Sequence, residues 1–121
     1  MSRLLVAAFS GGVAAMLGAC GAPYSARGTA PVPAAWVVRI SGFQFRPSEF
    51  SVVAGDTVIW ANDDALRHTA TADGGAWSTP ELDRGQQASW VTRTPGRYPY
   101  HCAAHPTMRG VLLVTPRAGG T

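Results

Sequence analysis

The 121-residue sequence contains no lysine, only two cysteines and three histidines, and no stretch with a sustained helical hydrophobic period. All ten basic residues are arginines scattered along the chain, so the formal net charge of +3 forms no basic patch and we expect no nucleic-acid partner. The missing helical period argues against an α-helical fold. With 46% hydrophobic and 14% charged residues, the composition is that of a globular protein, and the length allows one domain at most.

The N-terminal segment resembles a bacterial export signal. Arg3 precedes the apolar run LLVAAFSGGVAAMLGA, which is short and glycine-rich for a membrane span. The run ends in LGAC, residues 17–20, which resembles a lipobox, whose cysteine is acylated and becomes the first residue after cleavage. We therefore expect residues 1–19 to be a cleaved lipoprotein signal and Cys20 to be lipidated. An ordinary secretory signal with an incidental cysteine is the alternative.

Residues 20–35, which are rich in proline, alanine and glycine, are expected to form a flexible tether. Such a tether suits a domain that stands off a membrane to which only its lipid binds. The expected location is therefore the periplasm or the cell surface.

From residue 36 to residue 116 the pattern changes to short runs rich in β-branched residues. There are six: WVVRISG, EFSVVAG, DTVIWAN, QQASWVTRT, RYPYHC and GVLLVTP. Gly55-Asp56 and Pro95-Gly96 supply turns, while TPELDRG has room for one helical turn. The spacing predicts an all-β fold, a small antiparallel sandwich or barrel, with a short tail at 117–121. We expect Trp60, Trp90 and the tyrosines of RYPYHC to pack in its core.

Nearly every soft or imidazole donor that remains after signal removal lies in one window, YHCAAHPTMRG, at residues 100–110. The window contains four of them: His101, Cys102, His105 and Met108. An unpaired thiol in an exported protein is exposed to oxidation unless it binds a ligand. Cys102 is such a thiol, because an acylated Cys20 cannot form a disulfide with it. Each donor alone would be unremarkable, but their clustering after a strand predicts a metal site.

The alternation of side chains along a strand sorts these donors. Tyr100 and Cys102 share the face expected to point inward, whereas Pro99 and His101 share the outer face, so His101 is expected to be a bystander. The other two donors of the window follow in a loop that can return over the cysteine. His68, after the loop NDDALR, is the donor from another strand. Proline cannot donate to a ladder, so we expect Pro99 at an edge or a bulge.

Two imidazoles, a thiolate and a distant thioether are the donors of a His₂Cys trigonal site with a weak axial methionine, an arrangement typical of blue-copper electron transfer. Zinc seldom recruits methionine. A dinuclear copper centre needs a second cysteine in the loop, and multicopper enzymes need further histidines, which the sequence lacks. We therefore expect one copper ion, cycling between Cu(II) and Cu(I), and no enzymatic activity.

The window, together with VVAGDTVIWANDD and the histidine that follows it, resembles the small cupredoxins of the amicyanin and plastocyanin family. The short Cys-x₂-His-x₂-Met spacing and the Arg-Gly after the methionine are most like amicyanin. The resemblance covers about residues 36–116 and implies a Greek-key β-sandwich of about eight strands with copper near one end. Carried over by position, it implies His68, Cys102, His105 and Met108 as the ligands.

Two positions depart from the family pattern. Thr69 replaces the usual asparagine, so the hydrogen bond that steadies the ligand loop is expected to differ. Ala104 replaces a proline and keeps an N–H able to donate to the Cys102 sulfur. We hypothesise that such a bond raises the reduction potential.

The resulting functional hypothesis is a one-electron carrier between protein redox partners outside the cytoplasmic membrane. His105 is expected to be the electron exit, within a small apolar docking patch that includes Pro106 and is flanked by Arg67 and Arg109. We expect a monomer. The alternative is a copper delivery or sequestration lipoprotein, against which the single remaining methionine argues, since release favours methionine-rich sites.

Overall fold

The computed structural model describes residues 32–118, which form eight β-strands and no helix. The strands are β1 (Ala35–Ser41), β2 (Gln44–Arg46), β3 (Glu49–Val53), β4 (Thr57–Asn62), β5 (Thr71–Ala72), β6 (Gln87–Val91), β7 (Gly96–His101) and β8 (Arg109–Thr115). Six of them coincide with the six runs identified in the sequence. The other two, β2 and β5, are only three and two residues long and therefore have too little alternation to be recognised.

The segment TPELDRG contains turns and an isolated bridge but no helical turn. Among residues 32–118 there is likewise no helix of the length and hydrophobicity needed to cross a membrane.

The expected signal at 1–19, the acylated Cys20 and most of the expected tether lie outside the described residues. The described parts of the tether and tail are bonded to the domain. The Ala34 amide donates to Asp56 Oδ1 over 2.9 Å, and Arg117 donates to the same oxygen over 3.0 Å. The folded domain therefore extends at least from Ala34 to Arg117.

The eight strands form two four-stranded sheets, in the orders β2-β1-β4-β6 and β3-β8-β7-β5. Each sheet is mixed, because β1 pairs with β4 and β3 pairs with β8 in parallel while the other pairs are antiparallel. The predicted β-sandwich is confirmed, but the expectation that it is antiparallel is wrong for these two pairs. Parallel partners are not consecutive in the chain, so no turn between them marks the pairing in the sequence.

The core between the sheets is rich in aromatic rings. Trp60 and Tyr100 are fully buried, and Trp90 and Tyr98 pack against the core from partly buried positions, as predicted. Trp77 was not singled out in the sequence, yet its ring stacks between Trp60 and Trp90 at centroid distances of 5.2 and 4.5 Å. Such ring pairs contribute about 0.5–1.5 kcal/mol each beyond their burial, so this cluster stabilises the core between the two sheets.

Pro99 lies in β7, which is an inner strand between β8 and β5. It pairs with Val111 on one side, but β5 reaches only as far as Tyr100 on the other. Beyond the end of β5, the Pro99 carbonyl accepts from the Asp73 amide over 2.9 Å. Pro99 therefore has a local edge position within an inner strand, because its neighbouring strand is so short.

Candidate metal centre

Three side chains bring one donor atom each to one end of the sandwich. The donor atoms of His68, Cys102 and His105 all lie within 4.8 Å of one another. Cys102 Sγ is 3.7 Å from His68 Nδ1 and 3.6 Å from His105 Nδ1. Two donors about 2.1 Å from one ion and about 120° apart are separated by about 3.6 Å, so these spacings fit a single ion in a trigonal site.

The ligand loop runs from Cys102 to Met108 between the end of β7 and the start of β8. It is closed by three backbone hydrogen bonds: Cys102 N–H to Met108 C=O (3.1 Å), His105 N–H to Cys102 C=O (3.2 Å) and Met108 N–H to His105 C=O (2.9 Å). Met108 is buried, and its backbone lies beside that of Cys102. Its thioether as a weak axial ligand remains a prediction.

His101 lies outside the donor cluster. Its Nδ1 is 2.5 Å from Asp73 Oδ1, and the same carboxylate pairs with Arg109 over 3.4 Å. The face argument explains the difference from Cys102: the two residues are adjacent in the chain and point to opposite sides of β7.

His68 is held by a backbone bridge rather than by a regular strand. Its N–H donates to Leu82 C=O over 3.2 Å and its C=O accepts from Leu82 N–H over 2.8 Å. The side chain is fully buried, with Nδ1 toward Cys102 and Nε2 3.0 Å from Asp64 Oδ2. Asp64 was not predicted from the sequence. Its only signal there is that it is an acidic residue four positions before His68.

Thr69 joins the histidine segment to the ligand loop. Its amide donates to Cys102 Sγ over 3.4 Å, and its hydroxyl oxygen accepts from the Ala103 amide over 2.8 Å. The hydroxyl thus makes a loop-steadying hydrogen bond, with a different side chain from the family's usual asparagine.

The expected hydrogen bond from the Ala104 amide to the sulfur is absent from residues 32–118 of the structure. Ala104 is exposed in the middle of the turn that His105 N–H and Cys102 C=O close. Its amide makes no bond there, so the hypothesised rise in reduction potential has no structural support at this position.

The surface over the centre is apolar and leaves one imidazole partly exposed. His105 is partly exposed, Pro106 and Leu66 are exposed, and the Phe43 ring lies edge-on to both imidazoles with centroids 5.2 Å away. Phe43 was not predicted from the sequence, because it is far from the donors in the chain and only the β1–β2 turn brings it to the site.

Both arginines expected at the rim have acidic partners within the chain. Arg67 pairs with Asp83 over 2.7 Å and with Glu81 over 3.6 Å, and Arg109 pairs with Asp73. Hydrogen bonding to Asp83 raises the pKa of Arg67. The rim is therefore a mixed-charge surface and not a purely basic one.

The comparison with known sequences defines the class of protein. Residues 34–115 match the family described as copper binding proteins, plastocyanin/azurin family, and this range contains all eight strands and the whole donor cluster. The chain belongs to this family, and its cofactor is one copper ion in a type 1 site with His68, Cys102 and His105.

Within the family the chain is similar to amicyanins. Amicyanin of Paracoccus denitrificans is 35% identical over 83 residues, which are 64% of this chain and 63% of that protein. Amicyanin-alpha of Methylorubrum extorquens is 33% identical over 82 residues, 64% of this chain and 69% of that protein. The chain thus spans less than two thirds of the length of the Paracoccus denitrificans relative.

Solved structures show the same fold. An oxidized amicyanin that carries a single proline-to-alanine substitution superposes with a TM-score of 0.64 at 32% identity, covering 72% of this chain and 97% of that one. The Cu-containing nitrite reductase (NirK) from Thermus scotoductus SA-01 superposes with a TM-score of 0.63 at 28% identity, but only 23% of that chain is covered. The architecture is therefore a cupredoxin sandwich.

Proposed function

We propose that the protein is a type 1 blue copper protein that carries one electron at a time between protein redox partners outside the cytoplasmic membrane. The observation that carries the proposal is the convergence of one cysteine sulfur and two imidazoles at trigonal spacing, with two of these three side chains fully buried. Copper, when bound, supplies the Cu(II)/Cu(I) couple. The similarity to amicyanins supports a carrier rather than an enzyme.

The burial of the donors supports electron transfer rather than catalysis at the metal. His68 and Cys102 are fully buried, and Met108 is nearly so, which leaves little room for water or substrate beside these side chains. The hydrogen bonds within the ligand loop restrict rearrangement of the donors when the charge of the centre changes. Rigid donors of this kind suit a carrier, because little structural change accompanies the electron.

His105 is the partly exposed donor and is the proposed electron exit. The apolar surface around it, with Pro106 at its centre, is the proposed docking patch, and Arg67 and Arg109 lie at its rim. A small apolar contact with charges outside it suits brief encounters, since the charges act mainly on the association rate.

The proposed location depends on the N-terminal segment, which lies outside the described residues. An acylated Cys20 would hold the domain at a membrane, in the periplasm or at the cell surface. Metabolic labelling with a fatty acid should mark the wild-type chain and not a Cys20→Ala variant. Equal labelling of the two would contradict lipidation at this residue.

The first experiment on function is the visible spectrum of the full chain after addition of Cu(II), beside a Cys102→Ser control. An intense blue band that a mild reductant bleaches reversibly, and that the control lacks, is the expected result. A weakly coloured copper-binding product would instead favour delivery or sequestration. Absence of copper binding would contradict both.

A further inference from the structure

Asp64 is placed between the buried ligand His68 and a turn of the backbone. Its Oδ2 lies 3.0 Å from His68 Nε2, on the side of the ring away from Cys102. Its side chain is 16% exposed and that of His68 is fully buried. The carboxylate is therefore largely removed from solvent and in direct contact with the imidazole.

This contact determines which imidazole nitrogen is free. An ionised carboxylate only accepts hydrogen bonds, so the ring must place its proton on Nε2. Nδ1, which faces Cys102 Sγ, then presents its lone pair to the centre.

The same carboxylate holds the β1–β2 turn. Asp64 accepts from the Gly42 amide over 2.8 Å and from the Phe43 amide over 2.9 Å. Both residues have positive φ, 61° and 58°, and for the non-glycine Phe43 this conformation is strained. The two hydrogen bonds to a charged acceptor offset this strain and keep the Phe43 ring against the imidazoles of His68 and His105.

We propose that Asp64 is a positioning residue of the copper centre, which orients His68 and uses its negative charge, acting through that imidazole, to favour Cu(II) and lower the reduction potential. A fixed negative charge stabilises the more positive oxidation state, and partial burial preserves that effect from screening. The proposal rests on the copper site of the proposed carrier. The proposed role is electrostatic: Asp64 changes the reduction potential, whereas a residue that only stabilised the loop would not.

The first test uses the metal-free full chain and so does not depend on copper binding. Nitrogen-15 NMR of His68 should show the ring proton on Nε2. This proton should exchange with solvent at least tenfold more slowly than in an Asp64→Ala variant. A wild-type ring protonated on Nδ1 would overturn the proposal, whether or not any variant folds.

The second test measures the potential of the copper-loaded chain. At a fixed ambient potential, Asp64→Asn should raise the Cu(I)-to-Cu(II) ratio about tenfold, equivalent to about 59 mV for one electron. Asp63→Asn is the matched control, because it removes the same charge from the neighbouring residue. The Asp63 side chain is 45% exposed and is paired with Arg39. It should change the ratio less than twofold.

Equal shifts in the two variants, or no shift in Asp64→Asn with the fold retained by circular dichroism, would refute the electrostatic role. Failure of the chain to bind copper would count against the proposed carrier, while the NMR result would still decide whether Asp64 sets the His68 tautomer.

Discussion

The Thr69 amide donates a hydrogen bond to Cys102 Sγ over 3.4 Å, across a separation of 33 residues in the chain. The Thr69 hydroxyl also accepts from the Ala103 amide, next to that cysteine. One residue therefore contacts both the sulfur and the backbone of the ligand loop. Because the bond to sulfur comes from the backbone, side-chain substitution changes only the second of these contacts.

Replacing Thr69 with valine should loosen the ligand loop. Valine retains the shape but removes the acceptor of the Ala103 amide. A lost intramolecular hydrogen bond costs about 0.5–1.5 kcal/mol, and this one is partly buried. We expect the free energy of unfolding to fall by about 1 kcal/mol and copper to dissociate faster. Thr69→Ser keeps the hydroxyl and should stay close to wild type in urea denaturation. A valine variant as stable as wild type would contradict a stabilising role for the hydroxyl.

Gly110 should not tolerate a side chain. A Cβ at this position would overlap the ring of Tyr100, the buried residue that pairs with it across β7 and β8. Overpacking of a core costs about 1–3 kcal/mol, and we expect Gly110→Ala to reach at least the upper end, since the ring has no free space to move into. The denaturation midpoint measures this.

Gly74→Ala is the matched control for that substitution, because a Cβ there meets no atom within 4 Å and the φ of Gly74 lies outside the left-handed region. It should leave the midpoint almost unchanged. Equal stability of the two variants would contradict the packing shown by Tyr100.

Asp56 should make the stability of the domain depend on pH. Burial alone would raise its pKa, but amide donors from Ala34 and Val53, the Trp36 indole and Arg117 together lower it below the ordinary value. Its contribution is therefore complete well above the unfolded pKa of about 3.9, and is lost as the pH falls through the lower folded pKa.

Asp56→Asn should thus reduce the free energy of unfolding by roughly 2–3 kcal/mol at pH 7, with a smaller loss as the pH approaches 3. Urea denaturation from pH 3 to pH 7 measures the difference from wild type, and Asp63→Asn controls for net charge. A difference that stayed constant over this range would exclude the carboxylate of Asp56 as the source.

The two rim arginines should affect the rate of partner association. Replacing both Arg67 and Arg109 with alanine should slow electron transfer to an acidic partner at low salt and flatten its salt dependence, because both charges are expected to flank the proposed docking patch. Arg93 and Arg97 provide a charge-matched double control. Arg93 follows the last residue of β6, and Arg97 lies at the start of β7, at the end of that strand away from the ligand loop. An unchanged salt dependence in the first variant would rule out steering by the rim.

Local patterns predicted six strands, the inward face of Tyr100 and Cys102, and the clustering of donors in one loop. These features follow from side-chain alternation and from short spacing along the chain, which the backbone imposes wherever the segment folds. The separation of Cys102 from His101 illustrates this, since adjacent strand residues must point to opposite faces.

The tertiary structure alone decided the contacts between distant segments. It paired β1 with β4 and β3 with β8 in parallel, placed the Phe43 ring on both imidazoles, and made Thr69 rather than Ala104 the amide donor to the sulfur. It also brought Asp64 against His68 Nε2. Hydrogen bonds of this kind depend on distances of a few tenths of an ångström between atoms far apart in the chain, which residue type and spacing do not specify.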